Sequence, residues 1–244
     1  MSRYSQQISL PELGKKGQKQ LSEARILIIG AGGLGNPLAT YLAAMGVGYI
    51  TITDGDIISE TNLHRQFCFR DKDINKHKSQ TLAECLKNYN PGLTINYFNH
   101  FLNEKNASEF IQNHDVVCDC TDNVTARILI DKICGEQRKP LIYATVVGWS
   151  GYVAVLHYKK GVKLNDIFSI ESLLKNPIID CNNVGVMPSV CGIIASIQAT
   201  ELIKCILEDP FVSDGEIICF DGRKMEFRKF KITPIADQNF KSRI

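Results

Sequence analysis

Four glycines near the N-terminus form a pattern that suits phosphate binding. Gly30, Gly32, Gly33 and Gly35 follow a short apolar run and precede a segment with apolar residues at helical spacing. Glycines permit a tight turn and close approach of the backbone to an anion, and the helix that follows presents unpaired N–H groups and a positive dipole end. Asp54 ends the next predicted strand, where a ribose-binding acid is expected. The loop alone leaves NAD and ATP equally possible.

Polar and basic side chains follow that acid in a segment that suits a triphosphate. They are Asp56, Asn62, Arg65, Gln66 and Lys78. Arg65 and Lys78 could neutralise charge that develops on a pyrophosphate leaving group, and Asn62 could hydrogen-bond a phosphate or hold Arg65. A redox cofactor has no obvious need of these cations. A solvated charged stretch explains them equally well from composition alone.

Asp122 and Asn123 come directly after the fourth predicted strand. In an open α/β sheet, the carboxyl edge of the strands is where ligands bind. A carboxylate that faces phosphates there is a natural ligand for Mg²⁺. The same two residues also suit the cap of the helix that follows, and the two roles are compatible.

The elements that must position these residues alternate along the chain. Strands are predicted at 25–29, 49–53, 93–98, 116–120 and 141–147, with helices at 76–88, 108–112 and 124–137. Such alternation predicts a doubly wound α/β fold with a mostly parallel, Rossmann-like sheet and helices on both faces. A helix over 189–207 and a hairpin of 216–220 with 225–231 predict an antiparallel C-terminal portion, and residues 1–24 predict an N-terminal helical arm.

Composition narrows the class of protein. The 244 residues are 44% hydrophobic and 22% charged with a net charge of +2, which is typical of a globular protein and favours neither a nucleic-acid nor a membrane partner. Gly, Pro and polar residues interrupt the most apolar stretches, so neither is predicted to be a membrane span, and the N-terminus lacks the apolar core of a signal peptide. The nine cysteines form no CxxC pair, which predicts a cytoplasmic protein without structural zinc.

Four motifs in this order resemble the ThiF/MoeB/HesA family, the bacterial relatives of ubiquitin-activating enzymes. They are the glycine loop 30–35, Asn62-Leu63-His64-Arg65-Gln66, His77-Lys78-Ser79-Gln80 and Asp119-Cys120-Thr121-Asp122-Asn123. The resemblance implies a single adenylation domain over 1–244. Its 25–147 half is expected to bind the nucleotide, and its 148–244 half to bind the carrier and form a homodimer.

The resemblance also implies an activity. Such enzymes use MgATP to adenylate the C-terminal Gly-Gly carboxylate of a small ubiquitin-fold sulfur-carrier protein, ThiS- or MoaD-like, and release pyrophosphate. Ser79-Gln80 and the stretch 220–222 lean toward the thiamine-pathway carrier, with the molybdopterin-pathway carrier as the alternative. No rhodanese-like extension follows, so a separate sulfur donor is expected.

Residue roles come with the resemblance. Gly32 and its neighbours are expected to cradle phosphate, Asp54 to hold the ribose and Asp122 to bind Mg²⁺. The residues expected to stabilise the phosphates are Asn62, Arg65 and Lys78, with Gln66 in support. Cys181 occupies a position where the family can carry a cysteine that links covalently to the carrier, and an ordinary loop cysteine is equally possible.

One departure from the family keeps other functions open. The family's N-terminal pattern is Arg-Tyr-x-Arg-Gln, whose second Arg reaches the partner subunit's ATP. The chain matches it at Arg3-Tyr4 and lacks that second Arg, whose position we assign to Gln7. A non-catalytic module that binds a ubiquitin-fold protein therefore remains an alternative. A nicotinamide-dependent oxidoreductase would explain the glycine loop and Asp54 but not the basic residues or Asp122.

Overall fold

A single sheet forms the centre of the fold. The computed structural model describes residues 3–171 and 185–233. The strands there are β1 (Arg25–Ile29), β2 (Tyr49–Thr53), β3 (Thr94–Phe98), β4 (Val116–Asp119), β5 (Leu141–Val147), β6 (Ser150–Leu156), β7 (Glu216–Asp221) and β8 (Glu226–Lys231). Their order in the sheet is β3-β2-β1-β4-β5-β6-β7-β8, parallel from β3 to β5 and antiparallel from β5 to β8. This confirms the predicted fold class.

Helices cover both faces of the sheet, as predicted. In the described chain they are α1 (Ser5–Ile8), α2 (Gly14–Glu23), α3 (Gly35–Met45), α4 (Lys78–Tyr89), α5 (Ala107–Gln112), α6 (Val124–Gln137), α7 (Leu164–Ile167) and α8 (Pro188–Ile206). The N-terminal arm is thus two helices. Helix α3 ends at Gly46, whose φ of 79° is the left-handed conformation that closes many helices.

Alternate residues of β1 face two separate apolar cores, because successive side chains of a strand point to opposite faces of the sheet. Ile26 and Ile28 are fully buried with residues of α3, α4 and α8. Leu27 and Ile29 are buried on the other face with residues of α5 and α6. A strand that is covered on both faces has no solvated position, which explains its continuous apolar run. A ligand can therefore reach this part of the sheet at the ends of its strands.

Helix α8 is a core helix. It is the one helix of the described residues that is long and apolar enough to cross a membrane, and half of its apolar window is buried inside the fold. Its Gln198 amide donates to the carbonyl oxygens of Asp119, at 3.1 Å, and Ile142, at 2.8 Å. The helix therefore joins the last residue of β4 to the beginning of β5.

The two predicted halves of the chain share this sheet. The boundary at 147–148 lies in the tight connection between β5 and β6, which pair from Leu141↔Leu156 to Val147↔Ser150. The predicted nucleotide-binding and carrier-binding halves therefore share one sheet and differ in the surfaces that they present. The carrier-binding and dimer-forming roles of 148–244 stay predictions.

Candidate functional site

A cleft of about 1430 Å³ opens at the carboxyl edge of the sheet. It lies over the ends of β1, β2 and β4, where the strand order reverses, and open α/β sheets bind ligands at that point. Ten predicted site residues line it: Gly30, Gly32, Gly33, Asp54, Asp56, Arg65, Gln66, Lys78, Asp122 and Asn123. The sequence motifs thus meet in one place.

Three predicted site residues are not part of this lining. A Cβ atom on Gly35 would collide with the carbonyl oxygen of Gly30, so Gly35 permits close packing of α3 on the loop instead of contacting a ligand. Asn62 is buried, and its Oδ1 accepts a hydrogen bond from the Ser59 N–H at 3.1 Å. Asn62 therefore shapes its own turn, and its role at the phosphates stays a prediction. Cys181 lies outside the described residues, and its covalent role stays a prediction.

The glycine loop is fastened to the end of β2 by Asp54. One oxygen of this buried carboxylate accepts from the Ala31 N–H at 2.6 Å, and the other accepts from the Asp56 N–H at 2.8 Å. Burial raises the pKa of Asp54, and the two backbone donors oppose that shift. Gly30, with φ at 99°, turns the chain where a Cβ would meet the Cys120 carbonyl oxygen at 2.7 Å. Asp54 thus fixes the conformation of the glycine loop without a bound nucleotide.

Lys78 reaches the cleft from the first residue of α4. Its Nζ lies 2.7 Å from Asp56 Oδ2, and its backbone N–H donates to the Asp56 carbonyl oxygen at 3.0 Å. The Lys78 side chain is 9% exposed and that of Asp56 is 52% exposed. The cation is therefore held at the cleft wall by a carboxylate that is itself half in water.

Arg65 and Gln66 follow the turn that Asn62 shapes. Arg65 Nη1 donates to the Thr61 carbonyl oxygen at 2.9 Å and lies 2.8 Å from His64 Nε2. Gln66 is buried, and its Oε1 has no hydrogen-bond partner among the described residues. A buried acceptor without a partner is costly, and such groups are frequent where a ligand completes the hydrogen bonding.

Asp122 and Asn123 differ in their contacts, which bears on the two roles predicted for them, helix capping and Mg²⁺ binding. Asn123 Oδ1 accepts from the Ala126 N–H at 3.0 Å and caps α6. Asp122 is exposed at the cleft and has no hydrogen bond or ion pair with the described part of the chain. A carboxylate that is open to the cleft has the chemistry of a Mg²⁺ ligand.

Arg127 lines the cleft and is absent from the predicted set. Its guanidinium donates to the Thr121 carbonyl oxygen at 2.5 Å, to Tyr143 Oη at 3.0 Å and to Thr145 Oγ1 at 3.1 Å. Its Nε lies 3.9 Å from Asp119, a fully buried carboxylate. Arginine in the first turn of a helix faces the positive dipole end, so it needs a partner nearby. A basic residue at this unfavourable position of a predicted helix is the feature of the sequence that could have identified Arg127.

The N-terminal arm requires a correction. Counted from Arg3-Tyr4, the second Arg of the pattern Arg-Tyr-x-Arg-Gln falls on Gln6, and Gln7 matches the pattern's own Gln. Gln7 points into the fold, where its Nε2 donates to Gln18 Oε1 at 2.5 Å and to the Met45 carbonyl oxygen at 2.7 Å. Gln6 is exposed. Gln6, and not Gln7, therefore occupies the position of the family's second Arg.

Cysteines elsewhere in the described chain are of two kinds. Cys118 and Cys120 are buried, as expected of core residues. Cys68 and Cys85 are half-buried, and each thiol shifts the pKa of the other. Within residues 3–171 and 185–233, no group of three or more His, Cys, Asp or Glu side chains is placed to hold a metal ion by itself.

Known proteins with similar sequences are adenylyltransferases by name. "Adenylyltransferase and sulfurtransferase MOCS3" of Caenorhabditis briggsae is 39% identical over 235 residues, which are 94% of this chain and 57% of that protein. "Probable molybdopterin-synthase adenylyltransferase" of Porphyra purpurea is 38% identical over 231 residues, 95% of this chain and 60% of that protein. The chain thus spans less than two thirds of the length of these relatives.

Solved structures share the fold, and a family profile matches the sequence. The crystal structure of E. coli MccB with ATP has a TM-score of 0.80 at 21% identity, over 96% of this chain and 72% of that one. The same protein without that ligand in its description gives a TM-score of 0.82 at 21% identity, over 96% and 70%. The profile of the ThiF family matches residues 4–241. By its sequence across nearly its whole length, the chain belongs to the ThiF family.

Proposed function

We propose that this chain uses ATP to adenylate the C-terminal carboxylate of a small ubiquitin-fold sulfur-carrier protein. One observation carries the proposal: a glycine loop, the cations of Arg65 and Lys78, and the open carboxylate of Asp122 surround a single cleft at the sheet's switch point. A binding scaffold has no use for all of these groups. The names of the relatives, both adenylyltransferases, support the same activity.

The cleft suits a nucleoside triphosphate. Gly32 and Gly33 present backbone without side chains beside the start of α3, where N–H groups and the helix dipole favour phosphate. Asp56, and the carboxylate oxygens of Asp54 that already hold the loop, lie next to these glycines and can accept from ribose hydroxyls. The unpartnered Oε1 of Gln66 is also available at this wall.

Asp122 fits a magnesium site. A divalent ion would supply charge neutralisation at the phosphates when bound. Because Mg²⁺ commonly takes one or two carboxylates together with phosphate oxygens and water, one open carboxylate is sufficient on the protein side. Asn123 and Arg127 hold the backbone on either side of Asp122, which keeps the residue at the cleft while its carboxylate stays open to a ligand.

The reaction follows from the positions of the cations. The carrier's carboxylate oxygen attacks the α-phosphorus of ATP, the bond from that phosphorus to the pyrophosphate breaks, and an acyl-adenylate and pyrophosphate result. Lys78 exchanges Asp56 for a phosphate oxygen, and Arg65 lies beside Gly33. The two cations thereby take up the charge that grows on the leaving group, which is where preorganised charge lowers the barrier most.

The carrier that we propose is MoaD-like rather than ThiS-like. The thiamine-pathway preference rested on short stretches such as Ser79-Gln80. The name of one relative above, "Probable molybdopterin-synthase adenylyltransferase", supports the molybdopterin alternative. A homodimer and a separate sulfur donor stay predictions of this proposal.

The test is ATP–pyrophosphate exchange with each of the two carriers. The purified chain, Mg²⁺ and ATP are incubated with a MoaD-like carrier, with a ThiS-like carrier, or with each carrier shortened by its last glycine. We expect exchange that depends on the intact MoaD-like tail. Equal or greater exchange with the ThiS-like carrier would contradict the pathway assignment. A stable carrier complex without any exchange would favour the non-catalytic module and direct attention to Gln6.

A further inference from the structure

Phe101 occupies the lip of the cleft next to the acids of β2. The side chain follows β3, lines the cleft and is 61% exposed. One side of its ring packs against the backbone of Gly55, where an added Cβ would lie 2.6 Å from ring Cδ2. A large apolar ring therefore lies at the mouth of a polar cleft, against the residue that connects Asp54 and Asp56.

The ring is fixed in this exposed place by the backbone around it. The carbonyl oxygen of Phe101 accepts from Asn106 Nδ2 at 3.2 Å. The preceding carbonyl, that of His100, accepts from Thr53 Oγ1 at 2.6 Å and ties the segment to the end of β2. A single exposed hydrophobic residue is ordinary on a protein surface. A ring that lines a ligand cleft, packs against Gly55 and follows a backbone held by hydrogen bonds is a preformed contact surface.

The order of groups along the cleft indicates what this surface contacts. The glycine loop suits the phosphates, and Asp54 and Asp56 come next along the wall. Asp54 contacts the loop at Ala31, and Phe101 packs against Gly55, the residue that follows Asp54. A nucleotide has the same order of phosphate, ribose and base. We propose that Phe101 is the residue on which the base of the bound nucleotide stacks, an inference that rests on the proposed function.

Stacking on an aromatic face tolerates any base, since every base has a π-face. Phe101 therefore contributes affinity and orientation, and selection of adenine over guanine must come from other groups. Alanine substitution of a stacking residue weakens nucleotide binding by about 5- to 150-fold, from the usual strength of base–aromatic stacking. Gly55 belongs to the same arrangement, because any side chain there displaces the ring.

The experiment measures ATP binding by calorimetry without a carrier. The variants are Phe101→Ala, Phe101→Leu, Phe101→Tyr and Gly55→Ala, each checked for folding by circular dichroism. Phe211→Ala is the matched control, because Phe211 is 79% exposed and does not line the cleft. We expect Phe101→Ala, Phe101→Leu and Gly55→Ala to weaken binding at least about fivefold. Phe101→Tyr, which keeps the aromatic face, and the control should bind as the unaltered protein does.

The outcomes separate this inference from the proposed function. If the unaltered protein binds no ATP, the proposed function fails and the inference fails with it. If it binds ATP and Phe101→Ala binds equally well, only the inference is overturned. Full affinity in Phe101→Leu would also overturn it, because apolar bulk rather than an aromatic face would then be sufficient. Loss of affinity in Phe101→Tyr would overturn it for the opposite reason.

Discussion

Lys78 and Asp56 form an ion pair across the cleft wall, with Nζ 2.7 Å from Oδ2. The cation is nearly buried and its partner is half exposed, so the carboxylate can return to water when a polyphosphate takes its place. The pair holds the Lys78 side chain at the cleft wall before a nucleotide binds. Lys78 also interacts electrostatically with the buried Asp54 carboxylate.

Replacement of Lys78 tests this cation. Lys78→Met should lower kcat for adenylation about hundredfold or more, the usual effect of removing one preorganised group that stabilises transition-state charge. Lys76→Met is the matched control. Lys76 lies two residues before Lys78, forms an ion pair with Asp73 at 2.8 Å and is outside the cleft lining. Carrier-dependent pyrophosphate exchange measures both. Similar rates in the two variants would exclude the proposed role.

Asp122 and Asn123 are neighbours with different predicted effects. Asp122→Ala should abolish the magnesium-dependent rise in ATP affinity and leave thermal stability unchanged, because the carboxylate has no partner in the described chain. Asn123→Ala should cost about 1 kcal/mol of stability through loss of the α6 cap and keep its response to magnesium. Calorimetry with and without Mg²⁺ and thermal melts distinguish them. A normal magnesium response in folded Asp122→Ala would refute the assignment.

Arg127 should act mainly through stability. Its partners include Asp119, whose side chain is 1% exposed, and removal of one member of a buried pair leaves an uncompensated charge. Arg127→Met should therefore reduce the free energy of unfolding by about 3 kcal/mol or more. The double variant with Asp119→Asn should recover part of that loss, since both charges are gone. Denaturant titration measures both, and a loss below about 0.5 kcal/mol in the single variant would contradict this account.

The Cys68–Cys85 pair predicts a pH-dependent thiol. The hydrogen bond from Cys68 lowers the pKa of Cys85 to about 7, while the same contact and burial raise the pKa of Cys68. Cys85 should therefore alkylate first, with a rate that rises through pH 7 and levels off above it. In Cys68→Ala that rise should move to higher pH, because the donor is lost. Peptide mapping after iodoacetamide treatment checks this, and an unshifted profile would contradict it.

The elements that surround the cleft were predictable because they repeat a simple physical pattern. Continuous apolar runs at 25–29 and 141–147 indicate strands that are covered on both faces, and both have those bounds in the structure. The helix at 124–137 also has its predicted bounds. It begins after Asn123, whose side chain caps it. Apolar runs and helix caps depend on residues that are close in the chain, so they can be predicted from a single sequence.

Side-chain direction within the motifs was not predictable in the same way. Asn62 lies in a motif with Arg65 and Gln66, yet it turns inward to cap Ser59. Arg127 reaches from α6 to Tyr143 on β5, a contact that only the folded structure creates. Residue type shows which chemistry a side chain can do, and tertiary contacts decide which partner it takes.

The central claim is that the carrier's carboxylate becomes an acyl-adenylate in this cleft. The most direct measurement is mass spectrometry of the intact carrier after incubation with the chain, ATP, Mg²⁺ and pyrophosphatase. The account predicts a carrier that has gained one AMP at its C-terminal glycine, and about hundredfold slower formation of that product with Lys78→Met. An unmodified carrier in the presence of folded protein that binds both ATP and carrier would contradict it.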